Sequence, residues 1–214
     1  MKRERTGSRL IKGVNMVIGI TGGVGSGKST VLQILKDEYN AAIIMSDDVA
    51  REIEEPGNAC YDKIVSSFGT DVLEGRIYGN RLDRAETARI VFADKSKLEL
   101  LNSIVHPEVK SEIIRRINSC TKEDPGRLVI IESAILIEAG YREMCDEIWA
   151  VIADDEVRAE RLMSSRGYTR EKTLNIMSNQ KSSEEYIAET DFAVDNSGSI
   201  ESTRKQIKQR LSRN

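Results

Sequence analysis

The stretch Gly19-Ile20-Thr21-Gly22-Gly23-Val24-Gly25-Ser26-Gly27-Lys28-Ser29-Thr30 follows the apolar run Met16-Val17-Ile18 and holds five glycines and one lysine. Glycine tolerates φ > 0 and close backbone approach, at a cost in order. Such a density predicts a loop shaped around a ligand. Gly22, Gly27, Lys28 and Ser29 fill the pattern G-x-x-x-x-G-K-[ST], with a strand-like run before it and a helix-like run after it. That context is what the motif requires. Successive N–H groups of such a loop point into one concavity and hold phosphate oxygens, and the following helix N-terminus adds partial positive charge. Lys28 is expected to reach the β- and γ-phosphates of a nucleoside triphosphate, and Ser29 to coordinate Mg²⁺.

Outward from the loop, short β-rich runs alternate with helical patterns. Strands are predicted at Met16–Ile20, Ala42–Met45, Leu128–Ile131, Ile148–Ile152 and Phe192–Val194. Helices are predicted at Ser29–Glu38, Arg84–Phe92, Lys95–Ser103, Pro107–Ile117, Asp155–Met163, Arg170–Asn179 and Ile200–Leu211. Strands apolar on both sides and separated by helices imply a parallel sheet covered on both faces. Two insertions interrupt the alternation. The longer, from about Asp48 to Arg127, reads as helices punctuated by turns at Pro56-Gly57 and Glu74-Gly75. The shorter, from about Arg166 to Glu189, is rich in charge. No repeat or low-complexity segment is visible.

Composition narrows the partners. A net charge of −3 excludes a global basic field for nucleic acid, so any phosphate site is local. The longest apolar candidate, Leu128–Gly140, is broken by Glu132 and Glu138 and is too short for a membrane span. Cys60, Cys120 and Cys145 are odd in number and widely spaced, which argues for reduced cytosolic thiols rather than disulfides or zinc. A cytoplasmic monomer is the expectation. The basic stretch of residues 1–15 lacks the apolar core of a secretory signal and reads as a disordered extension.

The loop specifies a triphosphate, not a reaction. A GTPase switch lacks its N-K-x-D, and the sole D-x-x-G, Asp195 to Gly198, lies too near the C-terminus. An ATPase motor of this length would need partner subunits. The long helical insertion suits a small-molecule kinase, for which it forms a lobe around the acceptor.

In an open α/β sheet, ligands sit beyond the carboxyl ends of the strands. The second predicted strand ends in Met45-Ser46-Asp47-Asp48. A kinase acting on an alcohol needs a carboxylate to orient the hydroxyl and accept its proton. Either aspartate fits, and so does a capping role for both at a helix starting near Val49. Glu132 ends the third strand, either as a water-mediated Mg²⁺ contact or with no ligand role. His106, the only histidine, precedes Pro107 and is expected at a helix N-cap. Arg161, Arg166 and Arg170 surround the smaller insertion, either to cover the moving phosphoryl group or as a solvated face.

Together these residues resemble the dephospho-coenzyme A kinase family over about Met16 to Arg210. The family opens with TGGIGSGKST, and this chain has Thr21-Gly22-Gly23-Val24-Gly25-Ser26-Gly27-Lys28-Ser29-Thr30. Its D-A-D-x-x-x-R is read here in Met45 to Arg51, so Asp47 matches the second aspartate and Met45 replaces the first. Pro56-Gly57, Phe68-Gly69, Leu82-Asp83-Arg84, Val91-Phe92 and Asn102–Pro107 resemble further family segments. So does Asp195-Asn196-Ser197-Gly198, where adenine is expected. The third strand departs: Ala134-Ile135-Leu136-Ile137-Glu138 stands where P-L-L-x-E is usual. Arg166 is one residue late, and Asn175 stands near the place of an arginine that precedes Gln180.

The resemblance implies transfer of the ATP γ-phosphoryl group to the ribose 3′-hydroxyl of dephospho-coenzyme A, the last step of coenzyme A synthesis. It implies an α/β P-loop kinase fold: a five-stranded parallel sheet sandwiched by helices, with a helical acceptor lobe and a lid. One domain, 16–214, would then have its core at 16–50, 125–165 and 190–214, its lobe at 51–124 and its lid at 166–189. Asp47, Lys28 and Arg161 would be catalytic. ATP would be held by Gly23, Val24, Gly25, Ser26, Gly27, Lys28, Ser29, Thr30, Arg166 and Asn196. The acceptor would be held by Thr21, Asp47, Arg51, Arg84 and His106, and Mg²⁺ by Ser29.

Overall fold

In the computed structural model, which describes residues 16–213, the apolar runs become five strands. These are β1 (Val17–Thr21), β2 (Ala42–Met45), β3 (Val129–Glu132), β4 (Glu147–Ile152) and β5 (Phe192–Asp195). They form one sheet in the order β2-β3-β1-β4-β5. β1 pairs in parallel with β3 (Val17 with Val129) and β4 (Ile18 with Glu147), and β4 pairs in parallel with β5. All of β1 and β3 is buried, which is why these strands read as continuous apolar runs rather than alternating ones. The expected extension at residues 1–15 lies outside the described residues. Among the described residues, no helix is long and apolar enough to cross a membrane.

The chain divides into two compact units, one of residues 16–43 and 120–213, the other of residues 44–119. In the first, α1 (Lys28–Tyr39) buries Val31, Leu32, Ile34 and Leu35. It also holds α6 (Asp155–Arg166), α7 (Arg170–Ser178), α8 (Ser183–Glu189) and α9 (Ile200–Leu211). The second holds α2 (Ser46–Ile53), α3 (Ala59–Phe68), α4 (Arg84–Phe92) and most of α5 (Lys95–Glu123). It has its own core of Cys60, Tyr61, Ile64, Val65, Val72, Leu73 and Leu82, against which Leu101, Ile104 and Val105 pack.

Three local expectations are corrected. The helices expected at Lys95–Ser103 and Pro107–Ile117 are one helix, α5, with Pro107 inside it. Proline removes one rung of the ladder, but Leu101, Ile104 and Val105 pack before it and Val109 and Ile113 are buried after it, which holds the helix through it. His106 is therefore mid-helix, not an N-cap. α2 starts at Ser46 with Met45 at its N-cap, so Asp47 and Asp48 lie in the first turn and neither caps it. α8 was not expected from sequence. Its Ser182 and Glu185 form a reciprocal capping box, which starts a helix in a charged stretch of weak periodicity.

Candidate active site

The glycine loop runs from the end of β1 to the start of α1. Two glycines are required by close contacts. At Gly22 (φ 143°) a Cβ would lie 2.3 Å from the Val151 carbonyl oxygen of β4. At Gly27 (φ 86°) it would lie 2.1 Å from Nδ2 of Asn196. The N–H groups of Gly25, Gly27 and Ser29 find no acceptor among the described residues. Unmet donors at a helix N-terminus are an anion site. Lys28 Nζ donates to the Gly22 carbonyl at 2.8 Å and lies 3.8 Å from Oε1 of Glu132, a buried carboxylate at the end of β3.

Distant residues brace this loop. Asn196, just after β5, is buried. Its Nδ2 donates to the Ser26 carbonyl at 2.9 Å, and its Oδ1 accepts from Thr203 Oγ1 at 2.9 Å. Arg161 on α6 donates through Nη1 to the Ser26 carbonyl at 3.3 Å and through Nη2 to the Asn196 carbonyl at 2.8 Å. These cationic and amide donors take carbonyls of the loop, which leaves its N–H groups for another partner. The Ser26 hydroxyl itself is buried and unbonded.

Arg158 was missed in the sequence. It is buried, and its Nε donates to the Val24 carbonyl at 3.1 Å while Nη2 donates to Gln180 Oε1 at 3.3 Å. Gln180 Oε1 also accepts from the Val24 N–H at 2.9 Å, so Val24 is held at both backbone groups. A signal was present: Arg158 shares the buried face of α6 with Ala159 and Leu162, where a charge requires partners.

The other sequence candidates differ. Thr21 is buried, with Oγ1 donating to the Ala134 carbonyl at 3.4 Å. Arg166 is exposed in the last turn of α6, and its guanidinium has no partner among the described residues. Arg170 pairs with Glu156 at 2.9 Å. Ser29 is exposed and Thr30 half-buried in the first turn of α1.

In the second unit, Asp47 and Asp48 are both exposed. Asp48 Oδ1 pairs with Arg51 Nη1 at 3.1 Å. The Asp47 carboxylate has no partner among the described residues. Arg84 pairs with Glu54 at 3.1 Å, and His106 is half-buried in α5.

The residues fit Mg²⁺ held mainly by a substrate. Mg²⁺ keeps waters and phosphate oxygens and takes few protein ligands. The Ser29 hydroxyl is exposed at the loop, and no cluster of three or more His, Cys, Asp or Glu suited to a protein metal cage occurs among the described residues.

The family model described as Dephospho-CoA kinase (CoaE) matches residues 16–202. A dephospho-CoA kinase of Carboxydothermus hydrogenoformans is 41% identical over 89% of this chain and 90% of its own length. One of Moorella thermoacetica is 38% identical over 90% of this chain and 89% of its own. A crystal structure from Thermus thermophilus superposes with a TM-score of 0.76 at 30% identity, covering 94% of this chain and 98% of that one.

Proposed function

The chain belongs to the dephospho-CoA kinase family, and we propose that it transfers the γ-phosphoryl group of ATP to the ribose 3′-hydroxyl of dephospho-coenzyme A. The products are coenzyme A and ADP. The observation that carries the mechanism is Asp47. It is an exposed carboxylate in the first turn of α2, directly after β2, with no partner among the described residues. Its neighbour Asp48 is occupied by Arg51. A base must have its lone pairs available to the hydroxyl it deprotonates.

In this reading the loop N–H groups of Gly25, Gly27 and Ser29 receive phosphate oxygens and Lys28 adds a cation to them. Arg161 and Asn196 keep the loop carbonyls turned away. Ser29 would hold Mg²⁺, which when bound neutralises charge on the phosphates. Asp47 orients the 3′-hydroxyl and takes its proton as the oxygen bonds to phosphorus and the bond to the leaving ADP breaks. Arg51, Arg84 and His106 hold the acceptor within a lobe at 51–124. Residues 166–189 close over the phosphates and exclude water. The three free thiols support a reducing, cytoplasmic setting.

The test is ADP release with Mg-ATP and a panel of acceptors, with the product identified by mass. Turnover of dephospho-coenzyme A with gain of one phosphoryl group is expected. Turnover of a nucleoside monophosphate but not of dephospho-coenzyme A would overturn the reading.

A further inference from the structure

Glu54 closes α2 and Arg84 opens α4, and each charge stands at the unfavourable end of its helix. Glu54 is the C-cap of α2, where the partial negative charge of the helix end opposes a carboxylate. Arg84 follows the N-cap Asp83, where partial positive charge opposes a cation. Helix electrostatics therefore accounts for neither residue. They meet instead across the second unit, with Arg84 Nη2 3.1 Å from Glu54 Oε2.

The two partners are unequally buried. The Glu54 side chain is 13% exposed and that of Arg84 55%. The adjacent pair, Arg81 with Glu55 at 2.9 Å, is 70% and 42% exposed and is an ordinary surface contact. Burial pushes the Glu54 carboxyl up, while Arg84 and then Arg51 pull it down. Both arginines thus lie in the field of one enclosed carboxylate. A cavity of about 340 Å³ opens beside the pair, with Arg81 and Arg84 in its wall among the carboxylates of Glu54, Glu55, Glu74 and Asp83.

A mostly buried carboxylate under a half-open guanidinium is a poor device for stability, because desolvation offsets attraction. It is a good device for fixing an arginine. A guanidinium recognises phosphate through a rigid fork of donors, and the fork is useful only when its orientation is set. We infer that Glu54 is a positioning residue that fixes the Arg84 guanidinium to receive the acceptor. The inference rests on the proposed kinase reading, in which Arg84 binds dephospho-coenzyme A.

The experiment measures KM and kcat for both substrates in Glu54→Gln, Arg84→Ala and the double variant. Glu54→Gln is expected to raise KM for dephospho-coenzyme A about tenfold, through misplacement of one recognition group. Its KM for ATP and its kcat should stay within about twofold and its Tm within a few degrees, since neutralising one member of the pair leaves a half-exposed arginine that water can solvate. The double variant should be no worse than Arg84→Ala alone. If Glu54→Gln does not fold, Glu54→Asp keeps the charge, shortens the reach and is expected to show the same selective rise. An acceptor KM raised by Arg84→Ala but unmoved by either Glu54 variant overturns the inference alone. So does a loss of Tm with both KM values raised together. An acceptor KM unmoved by Arg84→Ala overturns the placement of Arg84 and the inference with it. Absence of dephospho-coenzyme A turnover in the unaltered chain overturns the whole reading.

Discussion

The side-chain amide of Asn196 donates to the carbonyl oxygen of Ser26 at 2.9 Å, across 170 positions of sequence. The same amide accepts from Thr203, so both of its ends are occupied inside the protein. The resemblance expects Asn196 beside adenine; its bonds also make it a strut of the phosphate loop. Asn196→Ala leaves the Ser26 carbonyl with only the longer bond from Arg161, and the Thr203 hydroxyl with only its longer bond to the Ser199 carbonyl. It is expected to cost about 1–3 kcal/mol of stability. KM for ATP should rise more than KM for the acceptor. Chemical denaturation and initial-rate kinetics measure the two effects.

Asp47 and Asp48 differ in their partners, and the proposed reading gives them different roles. Asp47→Asn is expected to lower kcat by about 10²- to 10⁴-fold with KM for ATP little changed. Asp48→Asn breaks only an exposed pair with Arg51 and should stay within about fivefold in kcat. Equal losses in the two variants, measured as ADP release, would show that Asp47 is not the base.

The thiols of Cys60 and Cys145 are held in the neutral form. Burial, aided by nearby carboxylates, pushes Cys60 up to about 11 and Cys145 up to about 12. The thiolate is the reactive species. Iodoacetamide at pH 8 should therefore spare both in the native protein, while Cys120, which is partly exposed, takes the label. Intact-mass analysis before and after denaturation counts the adducts.

On α5, hydrogen bonds from Arg115 and then Arg116 hold the Glu112 carboxyl down at about 2 against an ordinary value of 4.5. Because the folded value is depressed, its contribution to stability is complete above about pH 4.5. It is lost as pH falls toward about 2. Glu112→Gln should remove that part of the acid dependence and leave stability at pH 1 unchanged. Carboxyl NMR titration locates the transition, and a midpoint near 4.5 would contradict the prediction.

The sheet was legible because its central strands are buried on both faces, and residues 17–20 and 129–131 say so in apolar runs. The loop was legible because four defining residues fall at fixed spacing between a strand and a helix. Pro107 misled because a local helix breaker was outweighed by packing of residues on either side of it. Arg158 was missed because its partners, Val24 and Gln180, lie far from it in sequence. The choice between Asp47 and Asp48 was within closer reach: Arg51 stands three positions after Asp48, the spacing of a helical ion pair. Arg84 and His106 were singled out for the acceptor by resemblance alone; nothing in their local pattern names a ligand.

The central place of β1 bears on how the chain is made. The first strand of the described residues pairs with β3 and β4, and both lie more than a hundred residues downstream. At ordinary rates of elongation, on the order of ten seconds pass before either partner leaves the ribosome. For that interval Val17-Ile18-Gly19-Ile20-Thr21 is an apolar edge with nothing beside it. The strand that carries the phosphate loop is thus, in the nascent chain, the kind of exposed apolar edge on which chaperones act.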